Sequence, residues 1–360
     1  MERNKSQTLI DNYFDRLPFL VKPENIAHYD NGLVSILDRR LYPFKREFVL
    51  CRTYEESAQA ITDMVTQSGG PGYVAAYGMV QAAHQYKNQS SNSQAVGLER
   101  ASKVLGHARP TNNNIKYLTQ HLLTLSKKAL ANGENVEEAL LAEVVAIIQK
   151  NASISMRIGI NAANELSDGD TILTHCWAEN SIVSTLLAAQ DQEKRITVFC
   201  SETRPYLQGA RLTADAISEL DIPTTVITDN MPGYVISQGK INVFFAGADR
   251  VTMSGHVINK IGTFQVALCC KYYNIPFFAF SHGPDPNSST DKDVEIEERD
   301  PNETLYCLGV RTATTKVSGY YPAFDSTPPE LITGIITDQG VFEPNRISEY
   351  LKCKTNTNLW

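Results

Sequence analysis

Residues 199–263 read FCSETRPYLQGARLTADAISELDIPTTVITDNMPGYVISQGKINVFFAGADRVTMSGHVINKIGT and decide the fold class. Three short apolar runs, Ile196–Cys200, Thr224–Thr228 and Ile241–Ala246, are rich in β-branched residues and bounded by turn residues, as strands buried on both faces are. Helical patterns separate them. Each run leads directly into a polar cluster: Glu202-Thr203-Arg204, Asp229-Asn230 and Gly247-Ala248-Asp249-Arg250. Open parallel sheets place their ligands at this carboxyl edge, so the clusters read as a site.

Outward from that stretch the same rhythm continues. Strands are expected at Thr171–His175, Pro276–Ser281 and Leu331–Ile336, with helices between, and a short helix at Glu343–Leu351 closes the chain. Alternation of this kind implies right-handed crossovers and a mostly parallel, doubly wound α/β sheet. Gly283–Thr304 is polar, acidic and aperiodic, and reads as an excursion or lid.

The half before Asp168 is mainly helical. Gly32–Leu37 and Glu47–Cys51 look like strands of a small sheet, followed by helical spacing over Tyr54–Thr66 and Tyr73–Tyr86. Between those helices, Gln67-Ser68-Gly69-Gly70-Pro71-Gly72 is a turn whose backbone amides could hold phosphate. Lys87–Ala95 is Ser/Asn/Gln-rich and reads as an exposed loop. Ala108-Arg109-Pro110-Thr111, turned by Pro110, precedes a helix over Tyr117–Leu130. A long helical pattern, Val136–Leu166, joins the two halves as one helix or two. The domain boundary falls inside it, giving 1–145 and 146–360.

The 360 residues with a net charge of −7 describe an ordinary globular protein. Acidity argues against a broad nucleic-acid surface but permits a local basic pocket, so the expected partner is a phosphorylated small molecule. Seven cysteines, without a CxxC pair or metal spacing, are expected as reduced thiols in a cytoplasmic protein. No stretch reads as a signal peptide or membrane span.

Cys176 follows the strand Thr171–His175 and precedes a helix capped by Asn180 or Ser181. Its sulfur is therefore expected to feel a helix dipole that lowers its pKa, although a buried apolar role fits the residue equally. His175 points to the opposite face, which leaves His282 as the freer histidine. Asp249, after the Gly247-Ala248 turn, is expected among apolar walls that raise its pKa, or else as a cap paired to Arg250. Asn259-Lys260-Ile261-Gly262 brings an amide and an ammonium to a helix start, suited to an anion. Arg109 and Arg204 could bind phosphate or act as ion-paired supports.

Six motifs occur in one order: ETRPYLQGARLTA (202–214), ITDNM (227–231), AGADRV (246–251), NKIGTF (259–264), VEIEER (294–299) and PAFDSTPPELI (322–332). The chain resembles the family of methylthioribose-1-phosphate isomerase, ribose-1,5-bisphosphate isomerase and the regulatory subunits of the translation-initiation-factor-2 exchange factor. The resemblance implies a helical amino-terminal domain, a Rossmann-like catalytic domain and a homodimer. It implies Cys176 and Asp249 as the catalytic pair, and Arg109, Gln208, Asn259 and Lys260 as phosphate and sugar contacts. No metal or redox cofactor is implied.

Three departures bear on substrate. Gln67-Ser68-Gly69 stands where the isomerases carry an arginine-containing phosphate loop, so Ser68 and the Gly69 backbone take its place. Trp177-Ala178-Glu179 replaces the usual Asn-Thr-Gly and puts a large ring at the pocket rim. Ser254-Gly255-His256 replaces Asn-Gly-Asp. The expected reaction is aldose–ketose isomerisation of a C5-modified ribose 1-phosphate, with the bisphosphate isomerase and a non-catalytic regulatory subunit as alternatives.

Overall fold

The computed structural model describes residues 2–109 and 113–353. It divides into two compact units, the first running to Ser153 and the second beginning at Ile154.

In the first unit, α1 (Glu2–Arg16) and α2 (Pro23–Ile26) precede an antiparallel sheet of β1 (Ala27–Asp30), β2 (Leu33–Leu37) and β3 (Phe48–Cys51). Then come α3 (Tyr54–Thr62), α4 (Gly70–Tyr86), α5 (Ser91–Gly106), α6 (Asn113–Asn132) and α7 (Val136–Ala163), the last belonging to this unit only as far as Ser153. Thr53 starts α3 by accepting from the Glu56 amide at 3.2 Å. α4 is Ala-rich and buried over most of its surface, as a helix apolar on all sides must be. The expected loop at Lys87–Ala95 is corrected. The Ser90 hydroxyl accepts from the Ser93 amide, and this cap turns the polar run into the start of α5. α7 is one unbroken helix, apolar and long enough to cross a membrane by those measures alone. Its Val136, Leu140, Val144, Ile147 and Ile148 instead pack into the first unit's core.

The second unit is a mixed α/β structure with a parallel sheet and helices. Its strands are β4 (Thr171–His175), β5 (Thr197–Ser201), β6 (Thr224–Ile227), β7 (Val243–Gly247), β10 (Phe277–Phe280), β14 (Gly334–Thr337) and β15 (Gly340–Phe342). They lie in the order β15-β14-β10-β7-β4-β5-β6, all pairs parallel except β14 with β15. β4, β7 and β10 are almost wholly buried, and Phe244 of β7 stacks on Phe277 of β10 at 4.5 Å between ring centres. Between strands run α8 (Glu179–Asp191), α9 (Ala214–Ser218), α10 (Pro232–Ser237) and α11 (Thr263–Tyr272), and α12 (Tyr350–Cys353) follows a 3-10 turn.

A second small sheet falls outside the sequence reading. β8 (Arg250–Val251), β9 (Val257–Lys260) and β13 (Phe324–Thr327) form it in the order β13-β9-β8, all antiparallel. Asn259 and Lys260 therefore sit on a strand, not in the first turn of a helix. The expected excursion, Gly283–Thr304, exists and is followed by a hairpin, β11 (Tyr306–Cys307) with β12 (Val310–Arg311). It is tied down by Asp285 N to Val251 O (2.8 Å), Met253 N to Ser288 O (2.8 Å) and an Arg250–Asp285 ion pair at 3.3 Å.

Candidate functional site

From β4 the chain moves through β5 to β6 on one side, then crosses to β7 on the other and continues to β10. β4 is thus the switch point, where the two sets of crossovers diverge and leave a crevice at the carboxyl ends. Cys176 follows β4 and Asp249 follows β7, so sheet topology sets them on either side of that crevice.

The Cys176 backbone is held in the left-handed region at φ 65°. Its amide donates to the Thr203 hydroxyl at 2.9 Å, and its carbonyl accepts from the Thr213 hydroxyl. Thr203 is itself left-handed, at φ 63°, and is oriented by Asp229, whose two oxygens accept from the Thr203 amide (2.8 Å) and the Arg204 amide (2.6 Å). Thr213 ends a π-helical turn, Gly209–Thr213, that only glycine can open: a Cβ on Gly209 would lie 1.7 Å from the Ser201 carbonyl oxygen. Non-glycine residues at positive φ cost of order 1 kcal/mol or more each, and their clustering beside a reactive side chain marks a site held by its surroundings.

The electrostatics overturn one expectation. Burial pushes the Cys176 thiol up to about 11, with Lys260 pulling down and Asp249 pushing further up. Residues around it desolvate the thiolate although its side chain remains partly accessible. α8 starts without a side-chain cap, so neither Asn180 nor Ser181 plays that part, and desolvation outweighs the dipole. A second expectation concerned Asp249, which is exposed and not buried.

Lys260 is 4% exposed, and among the described residues no hydrogen-bond acceptor meets its ammonium, which lies 4.2 Å from the centre of the Phe324 ring. Burial pulls its pKa below the usual lysine range, while the Cys176 and Asp249 charges oppose that shift. A buried cation without a close counterion suits an arriving anion. Asn259, also buried, donates to Thr263 Oγ1 at 2.9 Å. Gln208 is 4% exposed and its Oε1 meets no donor among the described residues. Trp177 is 7% exposed, deeper than the pocket rim expected of it, with its indole N–H likewise unmatched.

His175 is buried and bonded to Ser201 Oγ (2.6 Å) and the Ile261 carbonyl (2.9 Å). His282 is exposed after β10. Arg204 is a support: its guanidinium donates to the carbonyls of Tyr306 (2.8 Å) and Thr304 (3.3 Å), latching the excursion to the end of β5.

In the first unit, Ser68 (φ 58°) and Gly69 are exposed at the N-terminus of α4. Arg39 steadies this turn by donating to the Gln67 carbonyl at 2.7 Å. Arg109 is half-buried after α5, while Pro110 and Thr111 lie outside the described residues.

A model of the initiation factor 2 subunit family matches residues 67–344, most of the chain. The chain belongs to this family. Among its relatives, the methylthioribose-1-phosphate isomerase of Thermosipho melanesiensis is 40% identical over 320 residues, covering 86% of this chain and 92% of that protein. Of solved structures, 5-methylthioribose 1-phosphate isomerase from Pyrococcus horikoshii superposes with a TM-score of 0.82 at 32% identity, over 91% of this chain and 95% of that one. Translation initiation factor eIF-2B subunit delta from A. fulgidus gives 0.80 at 33%, over 89% and 96%.

In this member of the initiation factor 2 subunit family, the structure adds residues to which the sequence reading assigned no role. Arg299 acts on both Cys176 and Lys260, lies 5.8 Å from the Phe324 ring, and is paired with Glu297 at 2.7 Å. Asp325 accepts from the Gly262 and Phe264 amides at the start of α11. Gly262 sits at φ 104°, against the His175 ring. Arg299, Phe324 and Asp325 lie in VEIEER and PAFDSTPPELI, so the motifs marked the segments without disclosing what they do.

Proposed function

We propose that this protein is an aldose–ketose isomerase that converts 5-methylthioribose 1-phosphate to 5-methylthioribulose 1-phosphate, working as a cytoplasmic homodimer with a Rossmann-like catalytic domain. The observation that carries the reading is the meeting of Cys176 and Asp249 across the switch-point crevice, beside a buried ammonium that has no acceptor of its own. The names borne by relatives of similar length support the choice of substrate.

A phosphate on the anomeric carbon locks the sugar ring, so the C1–ring oxygen bond must break before hydrogen can move. An acid gives a proton to the ring oxygen, which leaves as the C4 hydroxyl, and positive charge develops at C1. A hydride then moves with its electron pair from C2 to C1, and the C2 hydroxyl loses its proton to become the ketone. A thiol that keeps its proton to about 11 fits the acid, and Asp249 fits the acceptor of the C2 hydroxyl proton. The raised thiol counts against a Cys176 thiolate base. Lys260 and Asn259 hold the phosphate. Gln208 holds sugar hydroxyls, and Trp177 offers an apolar wall to the C5 substituent.

The test is a panel of ribose 1-phosphates bearing methylthio, hydrogen, hydroxyl or phosphate at C5. Best turnover is expected with the methylthio or deoxy sugar, and Cys176→Ala should lower kcat by roughly 10²–10⁴. The reading fails if the bisphosphate is preferred or if no sugar phosphate reacts. In deuterium oxide a hydride shift leaves C1 unlabelled, whereas an enediolate would take up solvent deuterium.

A further inference from the structure

Tyr321 is 3% exposed, and its hydroxyl is buried with no hydrogen-bond partner among the described residues. Native proteins rarely leave a buried hydroxyl unmatched, because it forfeits its bonds to water and gains none inside. Its backbone is fixed by pairing: Arg299 N donates to Tyr321 O at 2.9 Å, Ala323 N to Glu297 O at 2.8 Å, and Ile261 N to Ala323 O at 3.1 Å. Those bonds hold the Tyr321–Ala323 segment between residues 297–299 and the end of β9. The phenol is thereby carried to the same crevice as Lys260.

The charges that act on this hydroxyl identify its surroundings. Burial is the largest influence and pushes it up to about 12, while Arg299 pulls down and Glu303 and Cys176 push up. Arg299 lies beside the phenol, 6.0 Å from the ring centre, near enough for a weak contact that pulls the hydroxyl's pKa down, but outside strict hydrogen-bond geometry, and as a cation it can only donate. Its guanidinium is bonded to Glu297 at 2.7 Å. Tyr321 is therefore a neutral donor, close enough to feel the charge of the Cys176 sulfur, with no acceptor among the described residues to receive its proton.

Resting on the isomerase reading, we propose that Tyr321 is a further catalytic residue whose hydroxyl donates a hydrogen bond to the substrate's ring oxygen as the C1–oxygen bond breaks. The proton that stays on that oxygen comes from the Cys176 thiol. Tyr321 keeps its own and stabilises the charge that appears before transfer is complete. The phosphate is the business of Lys260, which leaves the ring oxygen, reached from the Cys176 side, as the group this phenol meets.

The experiment is Tyr321→Phe in the full-length protein, assayed with 5-methylthioribose 1-phosphate beside wild type. The ring stays and only the hydroxyl goes. Because that hydroxyl has at most a weak contact with Arg299 to lose among the described residues, Tm should change little, while kcat falls roughly 10–100-fold with KM changed less than threefold. A kcat within twofold of wild type overturns the inference and leaves the isomerase reading standing. A fall in Tm by several degrees together with lost activity also overturns it, because the hydroxyl would then be structural. Absence of turnover by wild type itself sinks the isomerase reading, and this inference with it.

Discussion

A thiol whose pKa is about 11 should be slow to alkylate, and the size of the effect can be worked out. At pH 8 such a thiol is ionised about one part in 10³, against about one in four for an ordinary cysteine of pKa near 8.5. The more basic thiolate is also the better nucleophile, recovering roughly tenfold at a Brønsted slope of 0.4–0.5. Cys176 should then react about 20-fold more slowly with iodoacetamide than an unperturbed thiol, and its rate should climb about tenfold per pH unit up to about pH 11. Peptide mass spectrometry across pH 7–11 follows it, with the exposed Cys353 as internal reference. Lys260→Met should push the midpoint higher and Asp249→Asn should lower it, since these charges act on the thiol with opposite signs. Turnover carries the same signature: an acid that must be protonated gives a kcat flat through neutral pH and falling only near about 11. A thiolate base would give a kcat rising tenfold per pH unit instead. An alkylation midpoint below pH 9, or a rising kcat, refutes the reasoning.

Two further variants probe the crevice. Lys260→Met removes a charge-assisted contact worth about 1.5–3 kcal/mol, so KM for the sugar phosphate should rise about 10–100-fold. Unchanged KM would remove Lys260 from phosphate binding. Thr203→Val leaves the Cys176 amide without its acceptor and should cost about 1–3 kcal/mol of stability as well as kcat, with Thr203→Ser restoring both. Calorimetry that found the valine variant as stable as wild type would show the amide to be satisfied some other way.

The parallel sheet was legible because strands buried on both faces leave unbroken apolar runs, as in Thr171–His175 and Val243–Gly247. The start of α5 was not, because its first turn is polar and rests on a cap made by Ser90 rather than on apolar spacing. The sheet of β8, β9 and β13 escaped for a different reason. Its strands are only two to four residues long and include Asn259, Lys260 and Asp325, so neither length nor alternation announces them. Cys176 and Asp249 could be singled out by their places after apolar runs, but the direction of the thiol's shift could not. The dipole of α8 is visible in local sequence, whereas desolvation depends on packing by distant segments. Tyr321 was out of reach for the same reason, since Arg299 and Ile261 position it through long-range backbone pairing.

The pairings that enclose Cys176 also set the order in which its protection arrives. Thr203 and Thr213 follow the cysteine closely, but Lys260, Arg299 and Tyr321 come from much later in the chain, and β7 must cross β4 before any of them can settle. A ribosome-bound chain that has completed only β4, β5 and β6 lacks every segment from β7 onward that packs against β4. Contacts this distant in sequence form late. The thiol of an unfinished or truncated chain would therefore be open to oxidants that the mature protein resists. Quiescence of this one sulfur towards a small alkylating reagent would thus report, molecule by molecule, that synthesis and folding have both reached their end.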